Sequence, residues 1–260
     1  MTVPWTLEQV ETYLLVFIRT GAIVFAMPIF GSKDLPMVAK MGLALMIAWC
    51  VYPLVPMPAA LKDAGIGVLA PAVAAEICIG IMIGFAARLF FEGVQIGGQI
   101  AGFQMGFGIV NVFDPLTGEN FTVLSQVQNL LAIMLFLGLN LHHLFFQAIA
   151  LSFTKIPLLH CGLTGPLLEE VTVMSAIIFS IAVKVGAPVI AVILFCDCAM
   201  GILNRAAPQM HIFILSFPLK IAVGLFVFGL TLPMFCSVLQ KAFGSLDDYI
   251  LRIVLLGRVA

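Results

Sequence analysis

The sequence predicts an all-α integral membrane protein of about six long hydrophobic helices or helical hairpins, and three observations carry that prediction. Apolar residues make up 62% of the chain and charged ones only 10%, against about 45–50% and about 25% in soluble domains. The 12 basic and 13 acidic side chains are too few to cover a water-soluble globule of 260 residues. Long uncharged runs alternate with short charged turns, and the runs far exceed the roughly 9–11 residues of a membrane β-strand. They read as helices crossing a hydrocarbon core about 30 Å thick, which takes roughly 20 residues each.

The first window runs from about Leu7 to Phe30, carries Arg19, and ends in a polar turn from Gly31 to Pro36. A cleavable signal peptide would open on basic residues, whereas the first charges are Glu8 and Glu11; this segment is expected to stay in the mature protein. The second window covers about Met37 to Val55 and stops in the rigid cluster Pro53, Pro56 and Pro58. A third, from about Gly65 to Phe91, contains Glu76 and Arg88. Residues 121–154 hold no Lys, Arg, Asp or Glu and outrun one bilayer thickness, so that helix is either tilted or continues outside the lipid.

Two further windows, about Val171 to Met200 and about His211 to Leu239, carry Lys184, Asp197 and Lys220. A short amphipathic tail from about residue 240 follows, with Asp247, Asp248, Arg252 and Arg258. No hydrophilic linker or low-complexity segment interrupts the pattern, so residues 1–260 read as one polytopic membrane domain. Orientation stays open: Lys33, Lys40 and Arg205 favour placing their turns in the cytoplasm, but Lys241, Arg252 and Arg258 pull the tail there too, and an even number of spans would put the two sets on opposite sides.

Several function classes drop out on residue chemistry. A net charge of −1 offers no basic stripe for phosphates, which argues against a nucleic-acid partner. Five of the six cysteines lie in apolar runs, and the Cys196/Cys198 pair has no second pair at zinc spacing, so packed thiols are preferred to a metal site. His142 and His143 are adjacent and point to different helix faces, which disfavours joint ligation. No serine sits in a nucleophile elbow and no paired aspartates supply an acid and a base, so no catalytic residues are assigned.

Two features do carry functional expectations. Between Gly93 and Phe113 the chain is uncharged, and Gly93 with Gly97, and Gly98 with Gly102 and Gly106, recur every four residues along one helix face. A partner backbone could approach that face closely, either from within the same bundle or from another subunit. Beyond it, Phe107 and Phe113 alternate with small or aliphatic residues before the Asp114-Pro115 turn, which suits a movable seal as well as a packed loop. The second feature is charge in apolar windows: Arg19, Glu76, Arg88, Lys184, Asp197 and Lys220. Such groups cost several kcal/mol unless paired or wetted; pairing is preferred here to an ion relay, because no internal repeat of the transporter kind is evident.

With these residues in view the chain resembles the FliR family of flagellar biosynthesis proteins, whose relatives serve in type III secretion. The resemblance rests on Arg19 and Pro28, on Glu76 with Gly80 and Gly84, and on the run from Gly102 to Phe107 leading to Phe113-Asp114-Pro115. It continues through Asn140 to His143, Ser152, Pro157 and Ala187-Pro188, then the run from Asp197 to Phe213, and Phe217 to Lys220. Leu141 and Asp197 depart from the family's usual Gly and Asn.

The resemblance implies a non-enzymatic subunit without cofactor or metal, in the bacterial inner membrane at the flagellar basal body. It would join FliP-like and FliQ-like subunits in a helical multi-subunit export gate, with an FlhB-like switch protein at its base, and pass unfolded flagellar proteins. It further implies a channel gasket formed by Gly106, Phe107, Val110 and Phe113. Subunit packing or intramembrane pairing would fall to Arg19, Glu76, Arg88, Gly98, Gly102, Lys184, Asp197, Arg205, Pro208 and Gln209. The alternative class is a stand-alone secondary transporter of a small solute or ion, which should work without partner subunits.

Overall fold

Helix α1 (Leu7–Ala26) begins where sequence chemistry dictates: the Thr6 hydroxyl accepts from the Gln9 N–H while the Gln9 side chain accepts from the Thr6 N–H. This reciprocal cap satisfies two donors that the first turn cannot use internally. A computed structural model describes residues 6–32, 35–57, 66–108, 121–159, 165–206 and 212–257. Along these the order is α1, α2 (Met37–Val51) with a 3-10 turn (Tyr52–Leu54), α3 (Ile66–Met105), α4 (Val123–Gly138), α5 (His142–Lys155), α6 (Gly165–Ala206), α7 (Ile212–Gly244) and α8 (Leu246–Leu256). All the regular structure among the described residues is helical. Five helices there are long and apolar enough to cross a membrane, and the α4–α5 pair makes a sixth if counted as one broken span.

Two windows differ from their sequence reading. The third does not end near Phe91; it runs on as one helix of 40 residues through the glycines to Met105. Helical hydrogen bonds tolerate glycine when neighbours fill the space beside it, so tertiary packing overrides the weak propensity. The uncharged run 121–154 is neither one tilted helix nor one extended helix. It breaks between α4 and α5 with a bend of 68°. Asn140 sits at the break with φ 56, the left-handed conformation that Asn adopts more readily than most residues.

The described chain packs as two units, Met1–Leu89 with Asn140–Ser175 and Ser245–Ala260, and Phe90–Leu139 with Ala176–Gly244. In the first unit Leu15, Val16, Ile23, Ile83, Phe145, Ile149, Phe153, Leu246 and Ile253 are buried. Tyr13 on α1 ties to α2 by donating to the Leu45 carbonyl at 3.2 Å and setting its ring edge-on to Trp49. The amphipathic tail forms α8, whose apolar face packs on α5. Helices α1 and α3 approach at Gly80, where a Cβ would stand 2.7 Å from the Arg19 carbonyl oxygen and 2.5 Å from the Ala22 Cβ. Only a missing side chain allows that distance.

In the second unit, Phe90, Phe91, Phe136 and Phe243 form an aromatic cluster with ring centroids 5.4–6.3 Å apart. A second core joins Ala101, Met105 and Leu124 to Val189 and Ile193 of α6. Phe107 and Phe228 pack on its edge.

Candidate functional site

Arg19 is fully buried in the middle of α1 and meets the equally buried Glu76 of α3 through Nε and Oε2. Its Nη1 donates to the carbonyls of Ser152 and Ile156, each at 3.0 Å, and its guanidinium carbon lies 4.4 Å from the centre of the Phe153 ring. The last turn of a helix leaves carbonyls without internal partners, and its partial negative charge favours a cation there. A guanidinium presents five donors in a rigid fork, so one side chain can serve a carboxylate and a helix end together. Arg19 thereby fastens α1, α3 and the end of α5 at one point. The remaining Arg19 Nη2 and Glu76 Oε1 are buried and make no hydrogen bond among the described residues.

A second pair joins Asp197 of α6 to Lys220 of α7, in contact and partly exposed. Arg252 of α8 reaches Glu170 at 3.6 Å, but Arg252 is 61% exposed and such a contact adds little stability. Among the charges singled out in apolar windows, the structure thus brings together Arg19 with Glu76 and Asp197 with Lys220. Arg88, Lys184 and Arg205 lie exposed on α3 and α6.

Within the second unit the glycine stretch forms a separate cluster. A Cβ on Gly97 would stand 2.6 Å from the Ala182 carbonyl oxygen, and one on Gly186 3.0 Å from the Gly97 carbonyl oxygen, so α3 and α6 cross backbone to backbone. One residue on, a Cβ on Gly98 would meet the Ser125 Cα at 2.7 Å, and one on Gly102 the Thr122 Cβ at the same distance. Thr122 also donates to the Gly98 carbonyl at 3.4 Å while capping α4 through the Ser125 N–H. The glycines expected to share one face are therefore two stripes about 140° apart around the helix axis, Gly93 and Gly97 against α6 and Gly98 and Gly102 against α4.

Helix α3 ends at Met105 in a paired cap: Phe107 N–H donates to the Gly102 carbonyl at 3.0 Å and Gly106 N–H to the Phe103 carbonyl at 3.1 Å. Gly106 adopts φ 100, a conformation that costs a side chain strain, and the Phe217 ring lies where its Cβ would be. This closes α3 and turns Phe107 back onto the core of Met105, Leu124 and Ile193. Val110, Phe113, Pro208 and Gln209 lie outside the described residues.

Sequence reasoning passed over Thr122, Ser125 and Gln128, which are buried and face the glycines. Their signal was available: Thr122 with Ser125 three residues on is a capping pattern, and Gln128 stands a further three along the same helix face. The Ser152 and Ile156 carbonyls had no such signal, because backbone groups carry no side-chain identity.

A polytopic helical membrane protein with an ion pair buried inside it, glycine-lined crossings and wide apolar surfaces is the class these observations define. Within that class, the chain belongs to the family Bacterial export proteins, family 1, whose pattern matches residues 10–246. It is 32% identical over 244 residues to the flagellar biosynthetic protein FliR of Bacillus subtilis, covering 91% of this chain and 92% of that protein. The FliR of Escherichia coli is 30% identical over 250 residues, covering 95% and 94%, and that of Pectobacterium carotovorum 29% over 240, covering 92% and 90%.

Proposed function

We propose that this chain is a non-enzymatic subunit of a flagellar type III protein-export gate in the bacterial inner membrane. It assembles there with FliP-like and FliQ-like subunits and, at the base, an FlhB-like switch protein, around the conduit for unfolded flagellar proteins. The observation that carries this reading is similarity to flagellar FliR proteins over nine-tenths of the chain. Physical support comes from the surface: large apolar side chains such as Phe179, Phe195, Phe226 and Leu230 stand about two-thirds or more exposed along α6 and α7. Sister subunits as well as acyl chains would cover such faces.

Purification in mild detergent tests the assembly, with co-purifying subunits identified by mass. FliP-like and FliQ-like chains are expected in fixed ratio; a purified chain that alone carries a small solute across liposomes overturns the gate in favour of a transporter. In the same reading Gly106, Phe107, Val110 and Phe113 line a gasket, since an apolar constriction closes to ions by excluding water. Phe107→Ala in the assembled gate is then expected to raise ion leak across vesicles at unchanged complex yield. Unchanged conductance removes Phe107 from the gasket.

A further inference from the structure

Lys184, unlike Arg19, Glu76, Asp197 and Lys220, meets no counter-charge among the described residues. It stands exposed near the middle of the 42-residue helix α6, and makes no hydrogen bond or ion pair with any described residue. Its nearest charged neighbours along the helix are Glu170 and Asp197, with 171–183 and 185–196 wholly uncharged between them. A bilayer core takes about 20 residues of helix, and every stretch of that length on α6 contains Lys184 or Asp197. Asp197 already has Lys220. A lone ammonium on an apolar helix face is costly unless a counter-charge meets it.

The surroundings say what kind of group can come. Ser180, Ala187 and Ala191 lie within about 60° of Lys184 around the helix axis and are exposed with it. Val183 and Phe179, 65% and 69% exposed, lie farther round the axis, about 100° and about 140° from Lys184, as an apolar flank. Small side chains around the lysine let a second helix backbone approach closely, so that even a short acidic side chain on it reaches Nζ.

We propose that the Lys184 face of α6 is the seat of an apolar membrane helix from another subunit, one that carries an Asp or Glu at the depth of Lys184. This rests on the reading of the chain as a gate subunit and adds to it the contact surface and the chemistry of the partner. The pair gives specificity as well as attraction, because an apolar helix without the acid leaves the ammonium stranded.

The test uses the whole gate expressed from its full set of subunits, with a photoreactive amino acid incorporated at Ala187 and mass mapping of the adduct. The expected adduct is a transmembrane peptide of a different subunit containing Asp or Glu. Lys184→Glu is expected to lower the co-purified partner at least about tenfold, Lys184→Arg to keep it within about twofold, and Lys in place of the mapped carboxylate to restore it in the Lys184→Glu background. An adduct only with lipid, or only with a second copy of this chain, overturns the proposal, as does a Lys184→Glu gate recovered in full. A wild-type chain that brings down no other membrane subunit overturns the gate reading itself, and this inference with it.

Discussion

Arg19→Met is expected to destabilise the folded chain by about 3–5 kcal/mol, the cost of leaving one member of a buried ion pair without its partner. Glu76 is fully buried and would lose its cation, while the Ile156 carbonyl would lose the Arg19 donor and the Ser152 carbonyl would keep only the Ile156 N–H. Glu76→Met should cost a similar amount by stranding the guanidinium. The double variant Arg19→Met with Glu76→Met is expected to be less damaged than either single one, because two apolar side chains of similar length fill the site without charge. Unfolding in mixed micelles of rising dodecyl sulfate content measures all three. Losses that simply add in the double variant would show that the two side chains stabilise the fold independently.

The second large effect is expected at Gly97. A Cβ there would lie 2.6 Å from the Ala182 carbonyl oxygen and 3.2 Å from its Cα, so the obstruction is backbone, which no rotamer change relieves. Gly97→Leu must drive α3 and α6 apart, with a loss of about 1–3 kcal/mol or more. Gly201→Leu supplies the control on the same helix pair, since a Cβ at Gly201 meets nothing within 4 Å. Thermal unfolding of the two variants in detergent should separate them clearly. Equal midpoints would mean that the α3–α6 crossing is loose enough to accept a side chain.

Much of the architecture was legible from hydropathy and punctuation, because both express the cost of placing polar groups in lipid. Six windows correspond to helices, and the four-residue glycine spacing marked close-packed positions, on two stripes of α3 instead of one face. Apart from Thr122, Ser125 and Gln128, what escaped was set by groups without a sequence signature. The break inside 121–154 depends on the backbone of Asn140 taking a left-handed turn in a run with no Pro and no charge, where composition predicts continuity. Helix α3 ends at Met105 before Gly106, one glycine among many, which its φ of 100 and the pair of hydrogen bonds around it distinguish from Gly102, a residue that continues the helix. Of the charges singled out by their apolar windows, Arg19 meets Glu76 and Asp197 meets Lys220. That Arg19 would spend its second donor group on the end of α5 could not be read, since helix-end carbonyls exist only once the chain has folded.

That bond also orders the making of the protein. Arg19 leaves the ribosome 57 residues ahead of Glu76 and 133 ahead of Ser152. At about 5–20 residues per second the carboxylate follows after roughly 3–11 s and the carbonyls after roughly 7–27 s. Until Glu76 arrives α1 holds its cation without that counter-charge, and until Ser152 and Ile156 arrive without the two carbonyl contacts. A nascent chain halted before residue 152 would hold α1 less firmly than the finished one.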